Sequence, residues 1–261
     1  SLVSHPNRAV RIAAVVALRR LKSPDIVVYL NDTDEYIVTE AARGINDDLS
    51  ISTALPALAA TLAENHFTSE PLIRRAINAC LRVGGEKELD MLIAYAERTD
   101  APTALRAEAL ATIGTWANPS VLDRVDGRYR GELKRDAAIV KTKIASKLKQ
   151  FLAIDNKDVL VSVAKLAGEL DISDYNTELK ALVKDSKYAD VRGAALTAIA
   201  KLGDTQLTET IRLGMADKEK SVRTTAVGYL GKIGVQKDEL PSLVTPIFEK
   251  VSVQEQQQLL K

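Results

Sequence analysis

The stretch Asp190-Val191-Arg192-Gly193-Ala194-Ala195-Leu196-Thr197-Ala198-Ile199 decides the fold. An apolar residue is followed at once by Arg, and small or apolar residues return four, seven and eight positions after Val191, at Ala195, Ala198 and Ile199. That is the period of a helix with one buried face. The pattern recurs as Val10-Arg11 with Ala14, Ala17 and Leu18, and as Ile73-Arg74 with Ile77, Cys80 and Leu81. It recurs again as Leu105-Arg106 with Ala109, Thr112 and Ile113, and as Val222-Arg223 with Ala226, Tyr229 and Leu230. Two copies lack the Arg: Ile37-Val38 with Ala41, Gly44 and Ile45, and Val159-Leu160 with Val163, Leu166 and Ala167. The seven starts are spaced by 27, 36, 32, 54, 32 and 31 residues. Most of these steps match a two-helix solenoid repeat, and the long one marks an interruption.

Partner helices are predicted between them, over Pro24–Leu30, Thr53–Asn65, Glu86–Thr99, Pro119–Val125, Thr177–Lys184 and Thr205–Met215. Ser, Thr or Asn with Pro near the first turn marks starts, as in Ser23-Pro24 and Asn118-Pro119. Gly marks stops, at Gly84, Gly114, Gly203 and Gly234. Nothing reads as a strand.

Composition agrees. The 261 residues are 46% hydrophobic but only 4% aromatic, so the core is built from Ala, Val, Ile and Leu. Small inward residues let neighbouring helices approach closely, and stacked repeats bury a face that one repeat alone cannot. Basic and acidic residues number 36 and 35, a balance that argues against chain-wide binding to nucleic acid or a membrane surface. No apolar run is long enough to span a bilayer. The single Cys excludes an internal disulfide framework. The recurrent Arg11, Arg74, Arg106, Arg192 and Arg223 read as a structural ladder bonding carboxylates and carbonyls of adjacent repeats, with a phosphate-binding row as the alternative.

The segments Ala9-Val10-Arg11-Ile12-Ala13-Ala14, Leu105-Arg106-Ala107-Glu108-Ala109-Leu110 and Asp190 to Leu196 resemble HEAT repeats, and the copies in phase carry that resemblance over nearly the whole chain. It implies an all-α, right-handed, armadillo-like α-solenoid (a superhelix) of about seven helix pairs. The concave face would come mostly from the second helices. Glu40 to Asp48 and Trp116 to Arg130 are similar to the HEAT region of large secreted proteins of Bacteroidetes and Planctomycetes. In that family the solenoid links a sugar-dehydrogenase-like propeller to a c-type cytochrome domain. The resemblance implies a multidomain fragment in a periplasmic or secreted setting, with redox chemistry in modules other than this one. The ends, Ser1 without Met and a Gln-rich helical stretch to Lys261, likewise read as cut. Cys80 is followed by Leu81-Arg82-Val83 and forms no haem attachment motif.

The expected organisation is a single solenoid over 1–261, with N-terminal repeats in 1–125, an interruption in 126–153 and C-terminal repeats in 154–261. In the interruption, Asp126 to Gly131 reads as a turn. Glu132 to Ala153 reads as one long irregular basic helix with an apolar stripe at Leu133, Ala137, Val140, Ile144, Leu148 and Leu152. Arg128, Arg130, Lys134, Arg135, Lys141, Lys143, Lys147 and Lys149 face only Glu132 and Asp136, a local charge of +6. A solvated face, a docking surface for an acidic partner and a nucleic-acid contact all fit it, in that order. Acidic counterparts cluster at Asp32, Asp34, Glu35, Glu40, Asp47 and Asp48.

Catalytic signals are weak. His5 and His66 lack partners at metal-ligand spacing, and Cys80 reads as a small core residue. Gly84-Gly85 lacks the spacing of a phosphate cradle. Trp116 reads as a plug between repeats, with ligand stacking as the alternative. No catalytic residue, cofactor or metal is expected. The function expected is a non-catalytic scaffold or inter-domain spacer, binding a protein or flanking domain through the concave face or the basic segment. An enzyme of HEAT-like architecture (DNA glycosylase or chromophore-lyase type) and a nucleic-acid adaptor are the alternatives.

Overall fold

A computed structural model describes residues 2–47, 49–203, 205, 207–233, 241, 244–245, 248 and 251–259. Asp48 of the acidic cluster, the Gly234 stop and the last two residues of the Gln-rich stretch lie outside them. The described residues are helical, with one isolated antiparallel bridge between Leu122 and Tyr129. They divide into two compact units, Ser1–Val140 and Lys141–Lys261.

All seven repeated patterns are helices. In the first unit they are α1 (Arg8–Arg20), α2 (Glu35–Asn46), α4 (Glu70–Val83) and α6 (Thr103–Gly114). In the second they are α9 (Lys157–Glu169), α11 (Ala189–Leu202) and α13 (Lys220–Val227). Their partners are a 3-10 segment (Pro24–Asn31), α3 (Leu55–Ala60) flanked by 3-10 turns, α5 (Glu86–Glu97), α10 (Asn176–Asp185) and α12 (Leu207–Met215). Two short helices, α7 (Ala138–Ala145) and α8 (Leu148–Leu152), follow the interruption, and α14 (Val253–Leu259) lies near the end. Within each unit the second helices pack side by side, α1–α2–α4–α6 and α9–α11–α13.

Local chemistry sets the boundaries. The side chains of Asn7, Asp34 and Asn156 accept backbone N–H bonds from Ala9, Tyr36 and Asp158 at 2.8, 3.0 and 3.0 Å, which satisfies first-turn donors. Gly84 and Gly203 end α4 and α11 in the left-handed region at φ 74° and 67°. Core positions such as Ile37, Ile77, Leu110, Val163 and Ile199 are fully buried. Each contributes about 1.5–3 kcal/mol of transfer free energy. Close approach relies on glycine: a Cβ on Gly168 of α9 would come within 3.0 Å of Ala198 Cα, and one on Gly214 of α12 within 2.9 Å of Ala226 Cβ.

Two expectations fail, one just before the interruption and one within it. The Pro119–Val125 helix does not form, because Asp123 Oδ1 takes the N–H groups of Val125 and Asp126 (2.8 and 3.2 Å) and Ser120 Oγ takes that of Leu122 (3.0 Å). Short polar side chains compete in this way with the helical ladder. Nor is Glu132–Ala153 one helix. Residues 117–137 form a strap of loop and hairpin, and helix begins only at Ala138, whose N–H bonds Asp136 Oδ1 at 2.8 Å. It breaks again at residues 146–147. Of the predicted stripe, Val140, Ile144 and Leu148 are buried, whereas Ala137 is exposed.

Candidate functional site

In the second unit the outer faces of α9, α11 and α13 line a groove of about 500 Å³. Its lining positions are in register. Counted from the first inward residues Val159 and Val191, they lie one and two residues before and two, three and six after. On α9 these are Lys157, Asp158, Val161, Ser162 and Lys165; on α11 they are Ala189, Asp190, Gly193, Ala194 and Thr197. Ser221 and Thr225 continue the row on α13. The floor is open because these side chains are short. A Cβ on Gly193 would meet only Thr225 Oγ1, at 3.9 Å. Lys157 and Asp190 form an exposed ion pair at 3.6 Å on one rim, while Lys165 is exposed.

The first unit places longer, mostly charged side chains in much of the same register, with Ala107 and Ala111 the short ones on α6. Counted from Ile37, Leu72 and Leu105, the positions two, three and six residues on are Thr39, Glu40 and Arg43, then Arg74, Arg75 and Asn78, then Ala107, Glu108 and Ala111. They are tied together: Arg43 to Glu40 at 2.7 Å, Arg75 to Asp47 at 2.8 Å, and Arg74 to Glu70 at 2.8 Å and to Glu108. The strap then covers the far end of this face. Asn78 donates to Asn46 Oδ1 and Asp123 Oδ2, both at 2.8 Å. On α2 and α4 the register is thus filled and covered, whereas across α9, α11 and α13 it is open.

The arginines of the repeat pattern lie as follows. Arg11 donates to Asp32 from Nε (2.9 Å) and Nη2 (3.3 Å), and to the His5 carbonyl at 2.8 Å. Arg192 repeats this on Asp217 (2.6 and 2.8 Å) and the Ser186 carbonyl (2.9 Å). Arg106 bonds the Ala96 carbonyl, and Arg223 those of Asp217 and Lys218. Arg74 stands one position further from the first buried residue of its helix, Leu72, and its partners are Glu70 and Glu108. Burial raises the Asp217 carboxyl, but Arg192 and the Glu219 N–H outweigh it, so its pKa lies below the ordinary value.

The eight basic residues predicted as one surface divide between the two units. The first four lie on the strap of the first unit; Lys141 and Lys143 lie on α7, Lys149 on α8 and Lys147 in the turn between them, all in the second. The Arg130 side chain is 3% exposed and bonds Asp123 (2.9 Å), Asp126 (2.6 Å) and the carbonyls of Asn46 and Asp47. Arg135 lies 5.0 Å from the centre of the buried Trp116 ring and caps α4 through the Leu81 carbonyl at 2.6 Å. Arg128 reaches the Asp47 carbonyl at 3.0 Å, and Lys141 that of Asp171 at 2.5 Å. Lys134 and Lys149 are exposed. The acidic cluster is engaged internally too. Asp32 and Asp34 take Arg11 and Arg8, Glu35 takes the Thr68 and Ser69 N–H groups, and Asp47 takes Arg75. His5 Nδ1 accepts the Asn7 N–H and His66 stacks on Phe67. Among the described residues no group of three His, Cys, Asp or Glu gathers as a metal site.

A protein-family model described as HEAT repeats matches residues 176–247. No curated protein matches by sequence. An engineered protein of known structure is similar over 99% of this chain and 75% of its own, with 17% identity and a TM-score of 0.57. A chain in the structure of the complex of CpcE and CpcF of phycocyanin lyase from Nostoc sp. PCC7120 is similar over 91% of this chain and 92% of its own, with 18% identity and a TM-score of 0.52. With the helix pairing seen in each unit, these likenesses support an α-solenoid fold, with HEAT repeats matched over 176–247.

Proposed function

We propose that the chain is a non-catalytic interaction scaffold that binds an extended polypeptide segment in the α9–α11–α13 groove. The observation that carries this reading is the open floor at Gly193, flanked by Ser162, Thr197 and Thr225. A segment crossing three parallel helix faces can bring its backbone close to small side chains and use the hydroxyls as bonding partners. Stacked repeats suit such extended contacts. Lys165 favours an acidic side chain on that segment. The resemblance to secreted multidomain proteins makes a flanking domain of the same polypeptide a natural donor of it.

The test is selection of displayed peptides on the full chain, followed by titration. Selected peptides should lose at least tenfold in affinity for Gly193→Trp, which fills the groove, and lose affinity for Lys165→Glu. Peptides that bind both variants as well as the parent would contradict the reading.

A further inference from the structure

The strap shows more than a cover for the first unit. Its two arms pair through the Asp123 N–H to the Arg128 carbonyl (2.8 Å) and the Arg130 N–H to the Val121 carbonyl (2.7 Å). Leu122 and Tyr129 are therefore directly opposite in a non-hydrogen-bonded pair, where side chains on one face are closest. Alternation along the arms sends Asp123, Arg128 and Arg130 toward the helices, where they find Asn78 and the carbonyls ending α2. The same alternation sends Leu122 and Tyr129 outward, and they are 50% and 70% exposed.

Arg124, two residues after Leu122 at the turn, is exposed as a residue and has no acidic partner among the described residues; desolvation of its guanidinium, then the like charge of Arg74, hold its pKa below the ordinary value, and Arg82 is a second like-charged neighbour. A Tyr held outward beside an uncompensated guanidinium has the composition of an interface anchor, and Leu122 adds apolar area next to it. The base is rigid, since the Arg130 and Asp123 side chains are buried and joined at 2.9 Å. Little ordering is thus needed on binding.

We infer that the Leu122–Tyr129 pair of the strap is a docking knob for a protein partner whose surface offers an apolar recess rimmed by carboxylates. The charge selects the partner: Arg124, which has no acid of its own, repels a basic surface, whereas Arg128 is already paired with Asp126 at 4.0 Å. The knob is independent of the groove, being on the other unit.

Two synthetic peptides test it on the full chain at low salt, one with a central Leu-Trp flanked by Glu on both sides, the other with Lys in place of each Glu. Amide NMR shifts should move at Leu122, Arg124 and Tyr129 with the Glu peptide, which should bind at least tenfold tighter than the Lys peptide. The variant Leu122→Ser/Tyr129→Ser should lose at least tenfold in affinity with its other amide shifts unchanged, and Arg124→Glu should reverse the preference. Gly193→Trp should have no effect. Equal affinity for the two peptides, no binding at millimolar concentration, or shifts confined to the groove would overturn the inference.

Discussion

Arg192 grips Asp217 with two parallel bonds, Nε at 2.6 Å and Nη2 at 2.8 Å, and both side chains are at most 9% exposed. Asp217 also accepts the Glu219 N–H at 2.8 Å, which shapes the turn into α13. One helix of a repeat thereby fixes the entry of the next. Arg11 and Asp32 make the same arrangement before α2, with the Asp34 N–H at 2.9 Å on Asp32.

Removing one partner of such a pair strands the other charge. Asp217→Ala should cost about 3–5 kcal/mol, read by urea denaturation. A change under 1 kcal/mol would show that the pair is solvated. The pH dependence follows from the sign of the shift. Asp217 titrates below its ordinary value in the folded chain. Its stabilisation is therefore present above the unfolded value of about 3.9 and is lost as pH falls through the lower folded value. Asp217→Ala should show less of that acid-side loss than the parent.

The strap should open from a single position. Burial raises the Asp123 carboxyl, but the Val125 N–H, Arg130 and Asn78 outweigh it and hold its pKa below the ordinary value. Asp123→Asn leaves Arg130 with one carboxylate partner fewer. Hydrogen exchange across 117–137 should rise at least tenfold in this variant, with α5 and α6 little changed. Unaltered protection would mean that Arg135 and Trp116 alone hold the strap.

Glycines of one type should respond oppositely. Gly193 lies inside α11 facing open space, so Gly193→Ala should stabilise by about 0.5–1 kcal/mol. Gly214→Ala should destabilise by about 1–3 kcal/mol, since the new methyl meets Leu196 and Ala226. Thermal melting of both variants checks the pair of signs, and a shared sign would refute the packing described.

Cys80 is fully buried, and burial, with the charge of Glu88, raises its thiol pKa. Only the thiolate reacts. Alkylation in the native state should be undetectable over hours and should appear with the unfolding transition in urea. Rapid native labelling would place Cys80 at the surface.

The helical repeats were legible because their signal is periodic and local. Val191-Arg192 with Ala195, Ala198 and Ile199 needs nothing beyond one helix to be read. The strap was not, because its conformation is set by partners distant in sequence. Arg130 is drawn to carbonyls 83 and 84 positions away, and Arg135 to one 54 away. Periodicity in 132–153 passed for a long helix. Asp136, which caps the true start at Ala138, was the local sign to the contrary. The groove escaped notice for another reason. It is made by what is missing from Gly193, Ser162 and Thr197, and periodicity finds the inward positions rather than the short outward ones.

Photo-crosslinking tests the central claim most directly. A benzoyl-phenylalanine placed at Thr197, in the groove, is compared with one at Leu213, which is 42% exposed on α12. With a groove-selected peptide present, Thr197 should yield the adduct and Leu213 should not, and Gly193→Trp should abolish it. Equal adducts at both positions, or an adduct that survives Gly193→Trp, would contradict the account.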